Sequence, residues 1–264
     1  EKMNDKSITD AARWIVDQHS QNKNYANLPE SFGIGGLDDA YLVQQEVVGF
    51  FQNQRGRIGG HKLALTSKPI QQLCGLDHPC AGQLFHSEIH YGKHDLQLDD
   101  FLSVGIEFEL AVRIAQDMTS IQGPWNRENI LPFINQVYPA FELVLDRNAD
   151  YQNLDILSVV ADNAWSGGAV LGSECSEWQH HDFDRLPVEK IINGKKETSV
   201  TGQALGNPIN SVVWLANFLN QSGSLIHAGQ ILMTGSTFAT HSAEKGDVIE
   251  YSIDQIGMVK IDIG

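Results

Sequence analysis

The chain has 264 residues, 42% of them hydrophobic and 19% charged, which is typical of a folded globular protein and not of a disordered one. Its formal net charge of −15 argues against nucleic acid or an anionic membrane as the main partner. No apolar run approaches the roughly 20 residues of a transmembrane helix, and residues 1–30 lack the charged-then-apolar layout of a signal peptide.

Three cysteines, Cys74, Cys80 and Cys175, occur without CxxC spacing. An odd number of such residues fits reduced thiols better than a disulfide framework. We therefore expect a cytoplasmic protein whose partner is a small molecule, with no role for nucleic acid or a membrane.

Two helices are predicted near the N-terminus. The first covers 7–20 and has Thr9 as its cap, and the second begins at Asp38 or Asp39 and ends near Gln54. Three glycines lie between them in 31–36. No strand precedes these glycines and no GK[ST] follows, so the pattern favours a turn over a phosphate-binding loop.

Residues 59–67 are predicted to form a short strand that leaves a glycine turn and contains Lys62. A lysine in such an apolar run is unusual. In one interpretation its stem packs while its ammonium reaches water. In the other, the ammonium is a cation aimed at a substrate carboxylate. The pattern alone leaves both open.

A short helix capped by Thr66 or Ser67 comes next, and the stretch 75–92 is predicted to be mostly loop. Four histidines lie in or near this stretch, but their spacing matches no common zinc site, so surface positions are expected. They are His78, His86, His90 and His94.

Residues 105–114 alternate apolar and polar side chains with period two, which predicts a half-buried strand. Glu107 and Glu109 would share one face, about 6–7 Å apart at the rise of a strand. Two such carboxylates repel each other unless water or a cation lies between them. A solvated acidic face and a divalent-cation site are the two interpretations.

A helix is predicted from Asn126 or Asn129 to about Tyr138, followed by an apolar strand that contains Glu142. A buried carboxylate without a partner is costly, so Glu142 requires Arg147 or another cation nearby.

The rest of the chain is predicted to be rich in strands, with one long helix that begins at Asn210 or Ser211 and ends at Gln221. Asn193 and Gly194 indicate a hairpin turn. Because helices come first and strands dominate later, the order of elements predicts an α+β fold. The stretch 159–172 is predicted to pass from a polar turn into a buried strand, and three further strands are predicted over 231–236, 248–253 and 258–263.

Five motifs in this order resemble the 2-keto-4-pentenoate hydratase family, which includes the 4-oxalocrotonate decarboxylases and belongs to the fumarylacetoacetate hydrolase superfamily. The resemblance implies a mixed-strand β-roll core, a homo-oligomer, and two regions: an N-terminal helical region, 1–57, and a metal-binding catalytic domain, 58–264. The motifs lie at 60–67, 105–109, 139–142, 160–164 and 231–235.

The resemblance also implies the site. Glu107, Glu109 and Glu142 match the family's ligands to a divalent metal, Mg²⁺ or Mn²⁺, and all-oxygen ligation suits such a hard cation. Lys62 matches the catalytic lysine, which contacts the substrate carboxylate or assists proton transfer. The expected substrate contacts are Ser166 and Ser236.

Two residues depart from the family pattern. Cys80 follows Pro79 where the hydratases carry an aspartate, and a cysteine with a pKa near 8.5 cannot simply replace a carboxylate. Trp165 stands where the family often has a small residue. Asp77 lies close by in the sequence but is offset by three positions.

The function predicted first is therefore a metal-dependent lyase of aromatic catabolism that hydrates a short 2-hydroxydienoic acid such as 2-hydroxypenta-2,4-dienoate. Decarboxylation of a 4-oxalocrotonate-type 2-oxo acid is the main alternative. Carbon–carbon bond hydrolysis of an acylpyruvate ranks third, because no His–Glu pair is apparent to activate water. The departure at Cys80 also leaves open a relative that binds 2-oxo acids without turnover.

Overall fold

A computed structural model describes residues 3–264 as two mixed β-sheets with flanking helices. We number the strands along the chain. They are β1 Ile58–Ala64, β2 Cys80–Phe85, β3 Ile89–Tyr91, β4 His94–Leu96, β5 Gly105–Ile114, β6 Ile134–Val144, β7 Ser166–Leu171, β8 Pro187–Ile192, β9 Lys195–Val200, β10 Ile231–Ser236, β11 His241–Ser242, β12 Val248–Ile253 and β13 Gly257–Ile263.

The larger sheet has eight strands in the order β2-β1-β10-β5-β6-β7-β3, with β11 paired to the beginning of β5. Its pairs are antiparallel except for β1 with β10 and β3 with β7. The smaller sheet has the order β4-β13-β12-β8-β9, in which only β13 and β4 are parallel. The predicted α+β fold with a mixed-strand core is confirmed.

The larger sheet curls strongly. In its hydrogen-bonding order β10 and β5 lie between β1 and β6, a separation of about 14 Å in a flat sheet. Nevertheless the ammonium of Lys62 on β1 lies 2.5 Å from the carboxylate of Glu142 on β6. A lysine side chain cannot span the flat distance, so the sheet is rolled, and its concave face brings these two strands together.

The main hydrophobic core lies between the two sheets. The apolar side chains of β5 all point into it, where they pack with Ile249, Tyr251 and Ile261 of the smaller sheet. This confirms the predicted alternation along β5. The opposite face is not simply solvated, because Glu109 and Ala111 are also buried. The inward-pointing residues of β5 are Ile106, Phe108, Leu110, Val112 and Ile114.

Five α-helices accompany the sheets in the described part of the chain, and none of them is long and apolar enough to cross a membrane. The first two pack together, and their shared cluster includes Phe85 and Ala161 of the remaining fold. The division of the chain at residue 57 stays a prediction. The helices are α1 Asp5–Ser20, α2 Leu37–Arg55, α3 Lys68–Leu73, α4 Ile156–Ala161 and α5 Pro208–Gln221.

Helix starts are where the predicted boundaries differ most from the structure. The side chain of Asn4, not Thr9, caps α1 by accepting a hydrogen bond from the Ser7 amide. Asn207 caps α5 directly before Pro208, three residues before Asn210 and four before Ser211, the two predicted caps. In both cases the true cap lies outside the apolar periodicity from which the helix was predicted.

Three strands, β2, β3 and the first part of β6, differ from the prediction. The stretch 75–92 contains β2, whose residues are mostly buried and therefore show no period-two alternation. The predicted helix ending near Tyr138 is wrong, because β6 begins at Ile134 and pairs with the end of β5. Pairing between strands overrides the local helix signals here. The polar turn predicted before β7 corresponds to the end of α4 and a 3-10 turn over Asn163–Trp165.

The predicted hairpin is present. Asn193 and Gly194 join β8 to β9, with φ values of 50° and 82° that suit a two-residue turn. The strands predicted around 231–236, 248–253 and 258–263 correspond to β10, β12 and β13.

The close contact between β1 and β10 generates a prediction about stability. A Cβ atom at Gly60 would lie 1.9 Å from the carbonyl oxygen of Ile231. We expect Gly60→Ala to lower the free energy of unfolding by about 2–3 kcal/mol, because the two strands must separate to admit the methyl group. Chemical denaturation measures the change.

Gly49→Ala is the matched control, because a Cβ at Gly49 meets no atom within 4 Å and alanine favours the α2 helix. Equal stabilities of the two variants would contradict the close approach of β1 and β10.

Candidate metal centre

Three carboxylates converge on the concave face of the larger sheet. The antiparallel register of β5 and β6 places Glu107 directly opposite Glu142, and Glu109 follows two residues along the same face. One oxygen of each carboxylate lies within 4.8 Å of the others. Like charges directly opposite each other destabilise a sheet, so this cluster requires a compensating cation.

The remaining contacts of these carboxylates leave oxygen atoms free. Glu109 and Glu142 are fully buried. One oxygen of Glu109 accepts from the Gly235 amide at 2.9 Å, and one of Glu107 accepts from the Thr240 hydroxyl at 2.7 Å. Within residues 3–264, Oε1 of Glu109 and Oε2 of Glu142 accept no hydrogen bond. Buried acceptors without donors, all of them oxygens, fit a hard divalent cation.

The electrostatics of the site follow from burial and from the mutual repulsion of the carboxylates. Burial raises the pKa of Glu142 to about 7, with Lys62 opposing the rise and Glu107 adding to it. Burial, together with Glu142 and Glu107, also raises the pKa of Glu109 well above its usual range. A proton and a cation therefore compete for the same oxygens.

Lys62 supplies the nearest positive charge. Its side chain is 2% exposed, and Nζ lies 2.5 Å from Oε1 of Glu142 and donates to the carbonyl oxygen of Ala164 at 2.7 Å. Burial alone would lower the pKa of Lys62, but the attraction of Glu142, Glu107 and Glu109 outweighs it, and the pKa is raised. The interpretation in which this ammonium reaches water is wrong. An ammonium has three donors, so one remains.

Arg147 is not the partner of Glu142. Its guanidinium pairs with Oδ2 of Asp162 at 2.6 Å, and His19 of α1 contacts Oδ1 of the same carboxylate at 2.6 Å. This network was not foreseen, because no local pattern connects residues 19, 147 and 162. It ties α1 and the loop after β6 to the segment that holds Lys62.

That segment, 163–165, has an unusual backbone. Asn163, Ala164 and Trp165 have φ values of 52°, 48° and 57°, all in the left-handed region. Each costs about 1–2 kcal/mol for an L-residue, so the surroundings must hold it in place. The Trp165 carbonyl accepts from the Leu145 amide at 2.8 Å, and its indole lies among aromatic rings.

The two predicted substrate contacts differ in what their hydroxyls can do. Ser166 is 8% exposed, lies opposite Val144 on β6, and has no hydrogen-bond partner among the described residues. The hydroxyl of Ser236 donates to the carbonyl of Phe238 and accepts from the Phe108 amide. Ser166 thus keeps a free donor, whereas the single proton of Ser236 is used. Substrate contact by either remains a prediction.

Cys80 does not replace the expected aspartate chemically. It is 1% exposed and packs with Ala40 and Val160, and burial raises the pKa of its thiol to about 12. The thiol is therefore neutral at pH 7. Asp77 is exposed in the preceding loop.

A separate open cavity of about 660 Å³ lies between α2, β2 and the end of α5. Its lining includes His61, whose pKa burial lowers to about 4, and several glutamine side chains, but none of the three glutamates. This cavity is therefore separate from the carboxylate cluster.

Comparison with known proteins identifies the family to which this chain belongs. Residues 85–263 match the profile of the fumarylacetoacetate (FAA) hydrolase C-terminal family. The 2-keto-4-pentenoate hydratase of Paraburkholderia xenovorans (strain LB400) is 30% identical over 254 residues, 96% of this chain and 93% of that protein. The chain belongs to the fumarylacetoacetate hydrolase family, in its 2-keto-4-pentenoate hydratase branch.

A second hydratase and a solved decarboxylase structure are also similar to this chain over most or all of its length. The 2-hydroxyhexa-2,4-dienoate hydratase of Comamonas testosteroni is 30% identical over 229 residues, 85% of each chain. The 4-oxalocrotonate decarboxylase from Pseudomonas putida G7, solved with magnesium and adipate, superposes with a TM-score of 0.90 at 26% identity, and each chain is fully covered.

The raised pKa values predict how the metal-free protein depends on pH. The folded pKa of Glu142 is about 7, above its ordinary value of 4.5, so protonation favours the folded state. This contribution is fully present below pH 4.5 and is lost as the pH rises to about 7. In EDTA, chemical denaturation should show wild-type stability falling over this window, and Glu142→Gln should flatten the slope.

Glu250→Gln is the control, because Glu250 is a partly exposed residue paired with Lys260 in the smaller sheet. A slope of equal size in Glu142→Gln and the wild type would show that Glu142 is not the group that titrates.

Proposed function

We propose that this protein is a divalent-metal-dependent hydratase that adds water to a short 2-hydroxydienoic acid, such as 2-hydroxypenta-2,4-dienoate, in the catabolism of aromatic compounds. The observation that carries the proposal is the convergence of Glu107, Glu109 and Glu142 with the buried ammonium of Lys62. The names of the related hydratases support the substrate class.

The three carboxylates are the residues that would hold Mg²⁺ or Mn²⁺. Together with Lys62 they carry a formal charge of −2 when ionised, which a divalent cation balances. A divalent cation held there supplies Lewis-acid stabilisation of negative charge on a chelating 2-oxo or 2-hydroxy acid. The magnesium-bound relative is consistent with this choice of metal.

The chain's own residues bind and orient the substrate. Lys62 has one donor left after Glu142 and Ala164, and a charge-assisted hydrogen bond to the substrate carboxylate would use it. The free hydroxyl of Ser166 would donate to a further substrate oxygen. Since Glu109, Glu142 and Lys62 are buried, little water competes for these contacts.

Decarboxylation of a 4-oxalocrotonate-type acid is the second candidate. The whole-chain superposition with a 4-oxalocrotonate decarboxylase favours it, as does the neutral thiol of Cys80 at the position where the family resemblance implies an aspartate. A divalent cation held by the same carboxylates would stabilise the negative charge that develops on the substrate oxygen as carbon dioxide leaves. The cytoplasmic location and the homo-oligomer stay predictions, and the three free cysteines fit the former.

An assay with Mg²⁺ separates these reactions. With 2-hydroxypenta-2,4-dienoate we expect loss of dienol absorbance without carbon dioxide release, and with 4-oxalocrotonate little release. Rapid carbon dioxide release without hydration would make the decarboxylase the correct assignment. Tight binding of oxalate with Mg²⁺, but no turnover of any dienoate, would favour a non-catalytic relative.

Substitution of Lys62 tests its assignment to the substrate and not to the metal. We expect Lys62→Met to lower kcat/KM by about a thousandfold, because a buried charge-assisted contact is lost. Its Mg²⁺ affinity should be equal to or tighter than that of the wild type, since a neighbouring positive charge is removed. Calorimetry measures the affinity, and a large loss of Mg²⁺ binding would contradict this role.

A further inference from the structure

We propose that Asn163 is a positioning residue that, through the carbonyl of Ala164, fixes the ammonium of Lys62 beside the carboxylates. The inference rests on the proposed function, because it assumes that Lys62 contacts the substrate. Asn163 itself is not expected to touch substrate or metal.

A two-point clamp holds Asn163 against β2. Its Oδ1 accepts from the backbone amide of Gln83 at 2.8 Å, and its Nδ2 donates to the carbonyl of the same residue at 2.9 Å. Gln83 follows Gly82, which lies opposite Lys62 in the β1–β2 pair. The clamp therefore sets the segment 163–165 in register with the strand beside the lysine.

The contact between the segment and β2 is unusually close. A Cβ atom at Gly82 would lie 2.7 Å from the carbonyl oxygen of Asn163 and 3.3 Å from Cβ of Ala164. Only glycine permits this approach, and the approach brings the Ala164 carbonyl within 2.7 Å of Nζ of Lys62. Lys62 is thus held between an anion and a neutral acceptor, and its third donor has a defined direction.

The left-handed backbone makes the clamp necessary. Three consecutive residues with positive φ do not persist without external contacts. Asp162 anchors the segment at its beginning through Arg147 and His19, and Trp165 anchors its end through the Leu145 amide. Between these anchors, the side-chain hydrogen bonds of Asn163 fix the stretch whose carbonyl meets Lys62.

Asn163→Gly tests the clamp without adding backbone strain, because glycine accepts a positive φ. We expect kcat to fall about 10- to 100-fold, the loss typical of a small misplacement of a catalytic group. KM should change less than kcat, and Mg²⁺ affinity should be unchanged, because the three glutamates lie on β5 and β6. General destabilisation would not lower kcat while leaving Mg²⁺ affinity unchanged, provided that the assay is run well below the melting temperature.

Asn193→Gly is the matched control. Asn193 has a φ of 50° and also makes two side-chain hydrogen bonds, to Asp247 and Val248, but it lies in the β8–β9 turn of the smaller sheet. The Asn193→Gly variant should have a lower free energy of unfolding and the same kcat as the wild type. Gly82→Ala perturbs the same contact while Asn163 stays intact, and it should lower kcat as Asn163→Gly does.

The inference is overturned if Asn163→Gly retains the kcat of Asn193→Gly, or if its loss is matched by an equal loss of Mg²⁺ affinity. If Asn163→Gly does not fold, kcat and Mg²⁺ affinity are measured for Gly82→Ala instead, and the same two outcomes overturn the inference. Failure of the proposed function is distinguishable, since the wild type would then turn over no dienoate. Oxalate binding with Mg²⁺ then replaces kcat as the measurement. Weaker oxalate binding in Asn163→Gly and Gly82→Ala, but not in Asn193→Gly, supports the inference, and equal binding in Asn163→Gly and Asn193→Gly overturns it.

Discussion

The structure depends on one unfavourable pairing that is built into the register of two central strands. Glu107 and Glu142 lie opposite each other because the apolar face of β5 is locked into the core between the sheets. A slip of one residue would turn those apolar side chains to the other face, and burial forbids it. The core thus holds like charges together, and in the proposed function a bound divalent cation relieves their repulsion.

The curl of the larger sheet turns this pairing into a site. It brings Lys62 from a strand that is three positions away in the sheet and sets it beside Glu142. It also brings β2 against the segment 163–165, whose carbonyl is the lysine's second partner. The proposed metal ligands and the proposed substrate-binding cation therefore come from different parts of the chain, and the rolled sheet brings them together.

Features that depend on neighbouring residues in the chain could be predicted from the sequence. Contacts that form only because the larger sheet is rolled could not. The alternation around Glu107 and Glu109 has period two, and an isolated Glu142 in an apolar strand demands a partner. The contact between Lys62 and Glu142 was not predicted, because these two residues are 80 positions apart in the sequence. Buried β2 carries no alternation, and the His19–Asp162 contact spans 143 positions.

The most direct test of the central claim is a crystal structure of the protein grown with Mn²⁺, with the metal located by anomalous scattering. We expect one strong peak bound by oxygens of Glu107, Glu109 and Glu142, with the ammonium of Lys62 next to the metal ligands but not bound to the metal. A peak elsewhere, with the three carboxylates bound only to protons or water, would contradict the account.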